Sequence, residues 1–318
     1  MIISPGVFGA AHVPDTGTPI LLLSSTGTNG NNWRQYYDTA IDQFSGDRYL
    51  LQSGVTSGLS TVVVYKNEVA LPALTGVGLC TQQSCLDAKD NLIMFSTTFG
   101  CFLSTDSGAS FGQVVSGVGR GVAVDQTTGD YAYAIQSSGL TISTGHTYST
   151  GTGRGGNVAL SGNYVLYTED VSTGGVIYLS TNGGTSFTPK ITGLSRVNGY
   201  PPDVAMSNSG QYMYAVSRDK FYSSSDYGST WTLRATLPAN SYRKVSCDHT
   251  GQYVSISGPH SNDYVYISID YGASFLYSIY TGSLAGRGVA IDTDKVLYTL
   301  SDDASLITTT YFYGVTLT

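Results

Sequence analysis

The chain has few long charged side chains. Its 318 residues include only two glutamates, Glu68 and Glu169, and six lysines, whereas glycine occurs 39 times and tyrosine 25 times. Glutamate and lysine favour helices, and serine, threonine and tyrosine suit strands and turns. The composition therefore argues against a helical protein and predicts an all-β fold, which can extend over this length as a single domain.

Basic charge and long apolar runs are also lacking. The formal net charge is −7, which argues against a general nucleic-acid binder because phosphate backbones require a basic surface. No apolar run approaches the roughly 18 residues of a membrane-spanning helix. The first residues show neither a basic segment nor a long apolar segment, so we expect no secretory signal there.

Metal-binding and redox motifs are absent as well. The four cysteines, Cys80, Cys85, Cys101 and Cys247, show no C-x-x-C spacing, and the four histidines show no metal-ligand spacing. We expect no metal and no cofactor. Cys247 fits a buried inner strand. The sequence does not decide whether Cys101 forms a disulfide with Cys80 or Cys85.

What the chain does contain is a repeated turn motif, S-x-D-x-G-x-[ST]-[FW]. Three copies match in full and a fourth has Asn in place of Asp; their acidic or amide residues are Asp106, Asn182, Asp226 and Asp270. A weaker copy ends at Trp33. We call these four matching segments the boxes. They resemble the Asp-box, or BNR repeat, of sialidase-like β-propellers.

The resemblance implies a structural role for the boxes. In that family each box forms the hairpin between the third and fourth strands of a blade. The carboxylate would accept hydrogen bonds within the turn, glycine would supply a positive φ, and the aromatic ring would pack inward. A catalytic or metal-binding role for these aspartates is the alternative.

A second repeat sets the number of blades. A short apolar strand ends in Asp or Ser about 20 residues before each box position, at Asp42, Asp87, Asp125, Ser161, Ser207, Asp248 and Asp292. The intervals are 45, 38, 36, 46, 41 and 44 residues, a period typical of propeller blades. The sequence thus predicts a seven-bladed β-propeller of four-stranded antiparallel blades over residues 37–318.

Residues 1–36 are too few for another blade. They contain a strand-like Ile20–Leu23 and could supply outer strands to the last blade, so that no sheet edge stays open. The alternative is an arm that docks on a partner.

Arginine recurs just before the inner strands. The four positions are Arg120, Arg154, Arg243 and Arg287. They map to one mouth of the central channel and could bind an anion. The alternative is four strand-entering residues that pair with acids of neighbouring blades. The loops on that face also carry the acids Glu169, Asp170, Asp219, Asp263, Asp302 and Asp303, together with Arg218 and His260.

An enzymatic function is the next question, since sialidases share the box. The resemblance implies an arginine triad, a Tyr/Glu nucleophilic pair, an acid/base Asp and an Arg-Ile-Pro motif; the last does not occur here. Only Glu68 or Glu169 could activate a tyrosine. For a two-carboxylate glycosidase, Asp170 and Asp263 are the acids to consider.

We therefore expect a non-catalytic binding or structural propeller. A surface rich in Ser, Thr, Gly and Tyr without an export signal fits a virion or cell-surface component that contacts a protein partner or a glycan. A sialidase-like glycoside hydrolase and an assembly-factor propeller are the alternatives. Neither nucleic acid nor a membrane span is expected.

Overall fold

The structure is a computed structural model. It describes residues 20–26, 33–80, 85–151, 153–195, 201–237, 242, 244–258, 264–275, 277–280, 285–292, 295–301 and 309–316.

Strands make up nearly all of the regular structure in these ranges. The strands are β1 Ile20–Thr26, β2 Trp33–Ile41, β3 Arg48–Thr56, β4 Leu59–Lys66, β5 Val69–Ala70, β6 Leu74–Thr75, β7 Leu86–Lys89, β8 Leu92–Thr97, β9 Gly100–Ser104, β10 Gly112–Ser116, β11 Gly119–Val124, β12 Tyr131–Ile135, β13 Gly139–Ile142, β14 Thr147–Tyr148, β15 Arg154–Ser161, β16 Tyr164–Val171, β17 Gly174–Ser180, β18 Thr188–Leu194, β19 Asp203–Met206, β20 Met213–Ser217, β21 Lys220–Ser224, β22 Thr232–Thr236, β23 Lys244–Cys247, β24 Val254–Ser257, β25 Tyr264–Ser268, β26 Tyr277–Tyr280, β27 Ala285–Ile291, β28 Lys295–Ser301 and β29 Thr309–Thr316.

These strands form the antiparallel meanders of a β-propeller, which confirms the predicted all-β class. Six sheets have four strands, in the orders β7–β10, β11–β14, β15–β18, β19–β22, β23–β26 and β27–β28–β29–β1. The remaining sheet, which begins with β2, has five strands. Each sheet is named below by its innermost strand.

The prediction of seven four-stranded blades is wrong in its count. The described residues form six four-stranded blades, and the sheet that begins with β2 departs from this pattern. In the β2 sheet the outer edge is divided: β5 and β6 both pair with β4, at opposite ends of that strand. Pro72 lies between them. Proline has no N–H to donate to a ladder and is confined to edges and breaks, so one outer strand becomes two short ones.

The innermost strands contact each other in sequence around an axis, and β27 contacts β2, which completes the ring. The β27 sheet takes its outermost strand from the other end of the chain, because β1 pairs antiparallel with β29 from Ile20↔Gly314 to Thr26↔Thr309. Leu22 packs against a buried cluster formed by Tyr36, Ile41 and Leu50 of the β2 sheet and Ala290 of the β27 sheet. The boundary between residues 36 and 37 remains a prediction.

Apolar clusters fill the spaces between neighbouring sheets. Tyr49, Phe95, Tyr167, Tyr214 and Phe221 are among the largest fully buried side chains. Box aromatics close these clusters near the turns: the ring of Phe187 lies 4.4 Å from that of Tyr148, and Phe275 lies 4.9 Å from Phe221. In both cases the ring reaches the preceding sheet, so the box holds two sheets together.

Candidate functional site: the channel and its two mouths

The inner strands surround a cavity of about 130 Å³ on the axis. One mouth, where the inner strands begin, is the loop mouth; the other, where they end, is the turn mouth. Each inner strand places one residue at the middle level of the cavity. These residues are Ala40, Asp87, Ala123, Ala159, Ala205, Ser246 and Ala290.

Asp87 is the exception among these small residues. The spacing of the repeat predicts it at the end of an inner strand, but β7 continues to Lys89 and turns at Asp90. Asp87 therefore faces the cavity, where its carboxylate accepts hydrogen bonds from the backbone N–H groups of Ala88 (2.9 Å) and Val124 (2.8 Å). Burial raises the pKa of Asp87 to about 6, against the effect of these two donors.

A buried ion pair lies at the loop mouth. The Lys244 ammonium is 3.3 Å from both carboxylate oxygens of Asp38. Asp38 also accepts backbone hydrogen bonds from Thr39, Cys85 and Leu86, at 2.9, 2.8 and 3.1 Å. Lys244 on β23 thus reaches past β27 to an acid on β2.

Asp203 completes this group of charges. Its carboxylate accepts the backbone N–H of Val245 at 2.8 Å. Burial lowers the pKa of Lys244, but the carboxylates of Asp38 and Asp203 more than offset this effect and raise that pKa above its ordinary value. Burial raises the pKa of Asp38 to about 7, against the opposing effect of Lys244. Asp38, Asp87 and Asp203 each bind the backbone of a neighbouring inner strand, so all three acids connect sheets.

Four inner strands contain a bulge near this mouth. The ladder register shifts near Tyr37, Arg120, Asn157 and Arg287. Bulges re-aim side chains and occur at the rims of barrel-like folds. Here they let Gly121 and Gly288 lie against the backbone of the adjoining inner strand, since a Cβ on either would come within 2.8 Å of a backbone atom there.

Of the four predicted arginines, the structure describes the side chains of Arg120 and Arg154 only. The side chain of Arg120 is buried and donates a hydrogen bond from Nη2 to Gln136 Oε1. Arg154 is exposed and pairs in register with Asp170. Arg243 lies outside the described residues, and for Arg287 only the backbone of β27 is described. The four-arginine anion site remains a prediction.

Lys244 is the cation that sequence reasoning missed at this mouth. It stands one residue before Val245, as Asp38 precedes Thr39 and Asp203 precedes Val204. This shared position could have indicated a charged ring on the axis. Two acids expected on the loops of this face are instead within the fold: Glu169 is fully buried in β16, and Asp170 is 8% exposed. Asp263 lies outside the described residues.

Two glutamines lie across the turn mouth. Gln126 Oε1 accepts the backbone N–H of Gln43 at 3.3 Å, and Gln43 Oε1 accepts that of His249 at 3.0 Å. The Gln43 amide also donates to Ile41 and Ile291. These bonds join the β2, β11, β23 and β27 sheets, so the turn mouth is bridged by side chains.

The boxes share one hydrogen-bond geometry. In the first, Ser104 Oγ donates to Asp106 Oδ1 (2.7 Å), and Ser110 donates to Oδ1 from its N–H (2.9 Å) and to Oδ2 from its hydroxyl (2.6 Å). Asp226 and Asp270 repeat these bonds. Bonds from Ser110 lower the pKa of Asp106 to about 2, and bonds from Thr230 do the same for Asp226. The four box glycines all have φ between 72° and 90°.

Asn182 keeps the geometry with one bond reversed. Its Oδ1 accepts from Ser180 and Ser186, as Asp106 does, but its Nδ2 donates to Ser186 Oγ at 2.9 Å. The hydroxyl changes from donor to acceptor, and the turn is otherwise conserved in form.

Tyrosines project from two boxes at the turn mouth. Tyr227 (φ 59°) and Tyr271 (φ 60°) occupy the left-handed region. The Asp106 and Asn182 boxes, the first two in chain order, have Ser107 and Gly183 at this position. Their side chains are 42% and 39% exposed. Tyr227 stacks on Tyr164 and Tyr271 packs on Tyr212, at ring distances of 5.3 and 4.4 Å.

The remaining chemistry of the described residues is limited. No cluster of three or more His, Cys, Asp or Glu side chains capable of holding a metal ion occurs among them. All four cysteines are free thiols, so neither suggested disulfide is present; Cys247 lies on β23 and is partly buried. In the same part of the chain, no helix has the length and apolarity to cross a membrane.

Comparison with known proteins adds no family: no protein-family model matches this chain, and no curated protein matches it.

Proposed function

We propose that the protein is a non-catalytic binding β-propeller that contacts a protein partner or a glycan with its turn mouth. The observation that carries this proposal is the pair of exposed tyrosines at positive φ. A bulky side chain in the left-handed region is unfavourable by about 1 kcal/mol, and glycine is accommodated at the same place in the Asn182 box. Two adjacent sheets nevertheless present tyrosine there.

The surroundings suit recognition. Each exposed ring is backed by a tyrosine of the preceding sheet, so its orientation is fixed before a ligand arrives. Rigid tyrosines provide a large contact area at a low cost in side-chain entropy, and they are enriched where proteins meet partners. The turn segments 161–164, 180–187, 207–212, 224–231, 247–253 and 268–274 contain no Lys or Arg, which favours a neutral or cationic ligand over an anionic one.

The acids of the axis support a non-catalytic role. Asp38, Asp87 and Asp203 each accept backbone hydrogen bonds from an adjoining inner strand, and this holds the sheets together. We propose, from composition alone, that the protein acts on a virus particle or at a cell surface.

The test is a glycan-array screen and a partner pull-down with the parent and the double variant Tyr227→Gly/Tyr271→Gly. Glycine fits the left-handed backbone, so we expect the double variant to keep its unfolding temperature and to lose at least tenfold in affinity. Arg154→Ala, at the opposite mouth, is the control and should bind as the parent does.

Equal binding by the parent and the double variant would refute the turn-mouth proposal. Loss of binding in Arg154→Ala alone would move the site to the arginines of the loop mouth. Turnover of a bound sugar by the parent would establish the hydrolase alternative.

A further inference from the structure

Glu169 is a buried acid that the proposed function does not use. It lies in β16 and is fully shielded from solvent. One carboxylate oxygen, Oε2, accepts a hydrogen bond from the Thr150 hydroxyl at 2.7 Å. The other, Oε1, is buried and has no hydrogen-bond partner. Among the described residues, no ion pair involves Glu169.

A second unpartnered group lies beside it. The Tyr167 hydroxyl is buried and lacks a hydrogen-bond partner, and Tyr167 is two residues before Glu169, on the same face of β16. Gly155 is opposite Glu169 in the ladder, and a Cβ on Gly155 would lie 3.1 Å from the Tyr167 hydroxyl oxygen. The hydroxyl therefore reaches the level of the carboxylate.

The surroundings separate these oxygens from water. The rings of Tyr148 and Tyr178 lie 6.1 and 6.4 Å from that of Tyr167. The loop before β15 covers the carboxylate closely, since a Cβ on Gly153 would come 2.5 Å from Glu169 Cγ. A buried carboxylate that accepts only one hydrogen bond is energetically unfavourable unless another hydrogen-bond donor or a positive charge lies next to it.

The charge and the atom types around this position indicate which ligand would bind there. The two atoms without a hydrogen-bond partner, Glu169 Oε1 and the Tyr167 hydroxyl, are both oxygens, and the Thr150 hydroxyl adds a third oxygen nearby. Oxygen ligands are the ones that hard cations prefer. One carboxylate balances one positive charge, whereas calcium sites generally gather several carboxylates. We propose that a single monovalent cation of the sodium type binds between Glu169 Oε1 and the Tyr167 hydroxyl.

Such an ion would stabilise one loop of the loop mouth. Thr150 and Gly153, which contact Glu169, lie in the segment that leads to Arg154. Binding would thus link the concentration of the ion to the order of that segment. The site is separate from the tyrosines of the turn mouth, so the cation proposal does not depend on the proposed function.

The experiment is thermal unfolding in sodium chloride and in choline chloride at equal ionic strength. Choline is too large for the site, so the comparison removes general salt effects. We expect the parent to unfold a few degrees higher in sodium chloride. Glu169→Gln, which is neutral and of the same shape, should show no difference between the two salts.

The chain offers a matched control, because Glu68 is its only other glutamate. Glu68 pairs with Arg48 at the surface, at 2.7 Å, so Glu68→Gln should keep the sodium effect. Tyr167→Phe removes the hydroxyl alone and should reduce the effect, which provides a second variant should Glu169→Gln fold poorly.

Equal unfolding temperatures of the parent in both salts would overturn the proposal, as would a sodium effect that survives in both Glu169→Gln and Tyr167→Phe. A larger effect of calcium than of sodium, abolished in Glu169→Gln, would refute the monovalent assignment.

Discussion

At the scale of the residue, Asp and Asn are nearly interchangeable in the boxes. Asn182 makes the same bonds to Ser180 and Ser186 as Asp106 makes to Ser104 and Ser110, apart from the reversed hydroxyl. The position therefore requires an acceptor oxygen at Oδ1 and a second hydrogen-bonding atom, whereas a negative charge is dispensable. This property is what a turn-forming role demands.

Asp270 provides the test of that role. Asp270→Ala removes three hydrogen bonds of a partly buried turn and should lower the free energy of unfolding by about 1–3 kcal/mol. Asp270→Asn should cost clearly less. Urea denaturation of both variants at neutral pH measures the difference, and equal losses would show that the charge itself matters.

At the scale of the element, the inner strands approach each other more closely than ordinary side chains allow. Gly121→Ala would place a Cβ 2.6 Å from the Asn157 Cα, a backbone atom that can move only with β15. We expect a loss of about 1–3 kcal/mol in unfolding free energy, measured by chemical denaturation. Gly112→Ala, in the outer strand β10, has its nearest atom at 4.0 Å and serves as the control; a similar loss in both variants would contradict the close-approach argument.

Local patterns in the sequence predict these elements well where a turn sets them. The boxes predicted their hairpins because the Asp–Ser bonds and the glycine φ are local. The same reasoning misplaced Asp87, because a two-residue turn at Asp90 and Asn91 replaced the expected longer one. It also missed the Lys244–Asp38 pair, whose members are 206 residues apart and meet only when the ring is complete.

At the scale of the whole molecule, the carboxylates predict how stability depends on pH. Asp87 has a pKa of about 6, above the value near 4 of an unfolded chain. Between these values the folded state holds a proton that the unfolded state has lost, so the free energy of unfolding falls as pH rises through this window, by about 2–3 kcal/mol. Asp38, with a pKa of about 7, acts in the same direction.

Asp87→Asn should flatten this profile in part, leaving the contribution of Asp38. Urea denaturation between about pH 4.5 and 7.5 checks the prediction, and a slope equal to that of the parent would contradict it. The boxes act in the opposite direction at lower pH: with a pKa of about 2, Asp106 and Asp226 lose their stabilising bonds as pH falls below about 4. Maximum stability is therefore expected in mildly acidic solution.

The pairing of β1 with β29 has a consequence for biosynthesis. The paired residues of these two strands are far apart in the sequence, from Thr26 to Thr309. During translation, β1 therefore has no pairing strand until β29 has been synthesised. Contacts of such separation form slowly and leave strand edges open in the meantime. The ring can close only after translation has passed β29, so the edges of β1 and of the β27 sheet stay open to aggregation until that point.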